Sequence, residues 1–131
     1  MNIEENMFEK AITFLNERYG DKAGGVAVLR IETGELLTSV WPEVNNSSAD
    51  LCAEVGAICE AHKLNKRVTH SICICRQNDN EKFEILTPCG ICQERLMFWG
   101  KDVKCAISTK DNRLVFKTLG EIQPCYWLDK Q

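Results

Sequence analysis

Two short cysteine motifs constrain this chain more than anything else in it. Cys52-Ala53-Glu54 stands near the middle, and Pro88-Cys89-Gly90-Ile91-Cys92 follows, with Cys89 37 residues after Cys52. Each motif opens a stretch that reads as helix and comes after a loop or strand. A CxxC on the first turn of a helix turns both sulfurs to one side, within reach of a single ion. Free N–H groups and partial positive charge at a helix start favour thiolates. A fold that aims both helix starts at one point therefore brings Cys52, Cys89 and Cys92 together.

The rest of the composition narrows what such a cluster is for. The chain has 131 residues, 44% of them hydrophobic and 27% charged, with a net charge of −3. That length suits one domain, residues 1–131, with a core of its own. The mild negative charge gives no electrostatic reason to hold a phosphate backbone. The expected partner is a small molecule, not a nucleic acid. No apolar run is long enough to span a membrane. The start, MNIEENMFEK, lacks the basic and apolar parts of a signal peptide. A cytoplasmic protein is expected, and in a reducing compartment eight cysteines point to metal or catalysis before disulfides.

Patterning predicts alternating elements. Residues 3–19 read as a helix with Ile3, Met7, Ala11, Phe14 and Leu15 on one face, ended by Gly24-Gly25. Val26–Ile31 and Leu36–Val40 read as a hairpin turning at Thr33-Gly34. WPEVNNSSAD, 41–50, is a loop, and 51–63 a helix capped by Ser48 or Asp50. Strands follow at 68–76 and 83–86, then a helix that Pro88 opens and that runs to about Trp99. Strands at 103–108 and 114–117 complete the series before the PCYWLDKQ tail. This alternation argues for a layered α/β domain with a mixed sheet.

Three thiolates leave one tetrahedral position open, the mark of a catalytic zinc site. Glu54, two residues after Cys52, points past the ion instead of binding it. A carboxylate there takes a proton from activated water and returns it to the substrate. Water attack on C4 of a cytosine ring, with loss of ammonia, needs these parts, and H-x-E…P-C-x-x-C is the related zinc deaminase signature. Here Cys52 holds the His position.

With these motifs the sequence resembles the cytidine deaminase family, in the small-nucleoside branch that includes blasticidin-S deaminase. The likeness runs through the first helix, the VAVLRIETGEL hairpin, both cysteine motifs and the tail. It implies a three-layer α/β/α domain around a five-stranded mixed sheet, a Zn2+ ion, and a homotetramer, with a homodimer as the smaller option. It also implies hydrolysis of cytidine, deoxycytidine or a related nucleoside to the uridine form, with backbone groups around Ala53 and Pro88-Cys89 orienting the substrate.

The chain departs from the family pattern around the substrate. The family's Asn-x-Glu, which grips the ribose, is met by Glu43 but has Trp41 in the Asn place. The family's stacking Phe falls on Ala23. Val55 and Gln93 occupy places where Arg often offsets the thiolate charge, leaving helix termini or Arg95 to do so. Tyr126 and Trp127 resemble the aromatic tail that closes the pocket in blasticidin-S-type members. Cys59, Cys73, Cys75 and Cys105 read as packing residues, His62 as a group near a helix C-terminus with no ligand role, His70 as a surface residue at a strand start, and Cys125 as a tail thiol able to approach the pocket.

Three rivals remain. A blasticidin-S-type aminonucleoside deaminase keeps the fold and changes the substrate. A redox protein using Cys89-Gly90-Ile91-Cys92 leaves Cys52 and Glu54 without purpose. A structural zinc module needs a fourth ligand, and none stands at typical spacing.

Overall fold

The computed structural model describes residues 1–129. In chain order the elements are α1 (Ile3–Tyr19), β1 (Gly24–Ile31), β2 (Leu36–Val40), α2 (Val55–Leu64), β3 (Val68–Arg76), β4 (Glu84–Leu86), α3 (Gly90–Leu96), β5 (Lys104–Ala106), β6 (Phe116–Thr118) and α4 (Leu119–Ile122). Single 3-10 turns lie at Ser47–Ala49 and Met97–Trp99.

The strands follow the period-2 alternation of their residues. On β1 and β3, Val26, Val28, Ile72 and Ile74 face one layer with Met7, Ala11 and Leu15 of α1. Ala27, Leu29, Cys73 and Cys105 face the other, with Ala57, Ile58 and Ala61 of α2 and Cys92 and Leu96 of α3. Two apolar faces on one sheet require a helix layer on each side, which gives the expected α/β/α sandwich. Burial of a Leu or Met of this kind contributes roughly 1.5–3 kcal/mol each. α1 is capped by Asn2, whose side-chain oxygen accepts the Glu5 N–H at 2.8 Å. Ile3, expected on its buried face, is exposed because the core begins only at Met7.

The sheet runs β2-β1-β3-β5-β6, with β4 also paired to β3. β1 is antiparallel to β2 and β3, β3 is parallel to β5, and β5 is antiparallel to β6. It has six strands, as the residue pattern indicated, and not the five implied by resemblance. On β3, β5 pairs only with His70 and Ser71, and the other half, Cys73–Cys75, pairs with β4. Gly24 and Gly25, read as the end of the helical region, lie inside β1 opposite Arg76 and Cys75. Gly24 is needed there, because a Cβ would meet the Tyr19 ring at 2.5 Å. A short helix, α4, replaces the strandless tail start expected from sequence. Thr118 and Glu121 cap it reciprocally. Among the described residues no helix is long and apolar enough to cross a membrane.

Candidate active site

The two cysteine motifs converge, but not as first turns of helices. Cys52 lies in the turn before α2, and Glu54 is the N-cap of that helix, with φ −73° and ψ −22°. Cys89 is the N-cap of α3, extended at φ −65° and ψ 166°, and only Cys92 lies within a helix. Pro88 therefore stands just outside the helix, not at its first position. The preceding Thr87 is biased away from helical geometry by the proline ring. Pro88 is buried, and its carbonyl accepts the Gln93 Nε2–H at 2.8 Å. Gln93 in turn accepts from Gln123 Nε2 of the segment after α4, at 2.9 Å.

Cys52, Cys89 and Cys92 have their sulfurs within 4.8 Å of one another. Cys52 Sγ and Cys89 Sγ are 3.2 Å apart. A tetrahedral ion with bonds of about 2.3 Å would set its sulfurs about 3.8 Å apart. The cluster brackets that spacing, and its donors are all soft, so the residues fit a thiolate-bound metal such as zinc. Cys92 is buried beneath, while Cys52 and Cys89 open onto a cavity. An open fourth position would face that cavity.

The electrostatics divide the three thiols. Burial pushes the Cys52 thiol up, and its hydrogen bond with Cys89 adds to this. Cys89 also feels burial, but the Cys92 backbone N–H, the Cys52 thiol and the Ile91 N–H together hold it below the ordinary range. These amides are free at the start of α3. Cys92 is driven well up by burial and by Glu54. Glu54 itself is 3% exposed. Its carboxyl is raised by that burial, partly offset by its own backbone N–H. Among the described residues no ion pair involves it.

The turn that carries Cys52 and Glu54 is held against β2 by a contact that sequence reading missed. Ser39 Oγ donates to the Ala53 carbonyl at 2.5 Å. One turn on, a Cβ at Gly56 would sit 2.8 Å from Ser39 Cβ. Only glycine allows α2 to start this close to the strand. The signal was a lone glycine in a helical stretch, which marks a close approach more often than a break.

The cavity above the thiols has a volume of about 360 Å³. Ala53 and Glu54 border it, together with Trp41, Asp50, Cys73 and Cys75. The last two, read as packing residues, are buried and also form part of this lining. Glu43 lies instead in a neighbouring cavity with Tyr19 and Ala23. Tyr126 and Trp127 are farther away within the chain. Both donate hydrogen bonds to Glu94 and border a separate groove with Val55, Arg95 and Phe98. Cys125 is exposed and Arg95 is exposed. His62 lies in the last turn of α2, as expected, exposed and tilted against Phe98 and Trp99, with ring centroids 4.9 and 4.6 Å away.

The structure is a three-layer α/β domain whose three-thiol cluster, suited to a metal ion, lies under a cavity that a buried carboxylate also lines. Among solved structures, the chain is similar to the cytidine deaminase of Bacillus anthracis: 47% identity over 96% of this chain and 90% of that one, with a TM-score of 0.92. The cytidine deaminases of Mycobacterium leprae (20%, TM-score 0.70, 92% and 96% covered) and Burkholderia pseudomallei (16%, 0.69, 90% and 94%) share the fold. No protein-family model and no curated protein matches the chain. The first of these similarities is sufficient: the chain belongs to the cytidine deaminase family.

Proposed function

We propose that this protein hydrolyses the C4 amino group of a cytosine nucleoside, cytidine or deoxycytidine, to give the uridine form and ammonia. The observation that carries the reading is the buried Glu54 carboxyl beside the Cys52, Cys89 and Cys92 cluster, in a chain of this family. A zinc ion held by these three cysteines would supply the Lewis acidity that activates water at neutral pH.

The chain's own residues do the rest. Among the described residues Glu54 has no counter-ion, and its raised pKa lets it accept a proton from water and release it to the leaving nitrogen. Burial also keeps bulk water from competing for that proton. The Ser39 bond to the Ala53 carbonyl fixes the depth at which Glu54 meets the ring. Free N–H groups at the start of α3 and helix termini offset thiolate charge in place of arginines at 55 and 93. Trp41 supplies an apolar wall for base or sugar. Pro88 stands behind Cys89 and sets its backbone. Glu43 lines the adjacent cavity, across Trp41 and Asp50, and is assigned no contact with an unsubstituted sugar, and Tyr126 and Trp127 are assigned to the site of a neighbouring subunit. Phe98, Trp127, Ile91 and Leu128 are strongly exposed, which favours a homotetramer. We assign the chain as one domain, residues 1–131, and to the cytoplasm, where its cysteines outside the metal cluster would stay reduced.

Ammonia release from cytidine, deoxycytidine and blasticidin S by the zinc-loaded protein tests this directly. Turnover of the first two supports the reading. Turnover of blasticidin S alone reassigns the substrate, and turnover of none overturns the reading. Light scattering reads the oligomer.

A further inference from the structure

Trp41 and Asp50 belong to two cavities at once. One is the pocket above the thiols, about 360 Å³. The other, about 440 Å³, lies on their far side and is bounded by Tyr19, Glu43, Asn45 and Ser47. Both residues border both spaces.

The partition is tied at each edge. Trp41 Nε1 donates to Asp50 Oδ1 at 2.6 Å, a short bond to a charged acceptor. The same oxygen accepts the Leu51 N–H at 3.0 Å, so the indole is joined to the segment that leads into Cys52. At the other edge the Trp41 N–H is held by the Gly25 carbonyl of β1 at 2.9 Å.

The two spaces differ in chemistry. The inner pocket carries the thiols, Asp50 and Glu54, with Arg76, Gln77 and Thr87 at its border. The outer one presents the Glu43 carboxylate, the Asn45 amide and the Ser47 hydroxyl. With its reacting carbon at Glu54, a nucleoside has Trp41 and Asp50 as one wall of the space left for its sugar. The inner volume is at the small end for ligand cavities, and the two joined would be about twice the size.

We propose that the Trp41–Asp50 pair is the specificity-determining partition of the site. It admits nucleosides with an unsubstituted sugar and excludes those with an added group on a sugar hydroxyl, which would need the outer cavity. This rests on the deaminase reading above.

The test is kcat/KM for cytidine, 5′-O-acetylcytidine and 3′-O-acetylcytidine in wild type, Trp41→Ala and Trp41→Phe. Wild type prefers cytidine to at least one ester. Trp41→Ala raises the ester-to-cytidine ratio for that ester by about tenfold or more, mainly through the ester's KM. Trp41→Phe, which keeps a ring but loses the N–H, moves it less in the same direction. A wild type that takes both esters as well as cytidine overturns the proposal. So does a ratio unchanged in both variants while cytidine turnover persists. A wild type inactive on every cytosine nucleoside overturns the deaminase reading and this proposal with it.

Discussion

The floor of the pocket, where Cys52, Cys89 and Cys92 meet beside Glu54, is made from two helix starts that the sheet brings together. Its wall, Trp41 against Asp50, is made from the two ends of one loop joined by a side-chain hydrogen bond. The floor's residue types are dictated by the reaction: soft donors at fixed spacing and one carboxylate kept dry. The wall answers only to the shape of what enters. On the proposed reading, chemistry and selectivity rest on different side chains that meet at the Asp50–Cys52 segment, so one can change while the other stays.

The sharpest way to break that separation is at the floor. Glu54→Gln should lower turnover by about 10²–10⁴-fold while metal content by elemental analysis stays as in wild type. Turnover close to wild type would give the proton chemistry to another group. Removal of the ion by a chelator should abolish activity and lower the melting temperature. The stabilisation lost is about 4 kcal/mol if the ion was present at a thousand times its Kd. An unchanged melting curve would mean that the thiols fold around nothing.

The seating of the floor gives a smaller effect. Gly56→Ala forces its new methyl against Ser39 and should cost about 1–3 kcal/mol in urea unfolding. Ser39→Gly in the same chain removes the opposing Cβ. The pair should therefore couple favourably, by about 0.5 kcal/mol or more in a double-mutant cycle. Strictly additive losses would show that the close approach does not set the floor.

The smallest effect lies at the far end of β3 from the site. Burial first, then Arg30 and Lys104, lower the His70 pKa from 6.5 to about 4. Between these values the unfolded chain binds the proton and the folded chain does not. Stability from neutral His70 is therefore present above pH 6.5 and is lost as pH falls toward 4. His70→Gln should flatten that part of the stability profile, and a proton resonance assigned to His70, through its loss in that variant, that titrates near 6.5 would contradict the assignment.

Sequence alone revealed the floor because its signals are local. Cys-x-x-Cys and Cys-x-Glu carry their meaning within a few residues, and the alternation along β1 and β3 carried the layers. What sequence misplaced was the boundary: both motifs were read into helices, whereas Cys52 and Pro88 precede them. The Thr118-x-x-Glu121 box that starts α4 was legible and was passed over beneath an irregular tail. The wall was not legible. Whether Trp41 meets Asp50 depends on how eight intervening loop residues fold, and no spacing rule reports that. The same holds for Ser39 and Gly56, which come from different elements and meet only across the sheet.

Gln93 occupies a place where a charged side chain was expected, and it serves as a strut instead. It holds the Pro88 carbonyl on one side and is held by Gln123 on the other. The last helix is thereby mechanically continuous with the loop that presents Cys89. Slow exchange of amide hydrogens reports which parts of a fold open together. By that measure α4 and the Pro88-Cys89 segment are expected to open together, and protection gained at Cys89 to be felt some thirty residues along the chain, about the separation of Gln93 and Gln123.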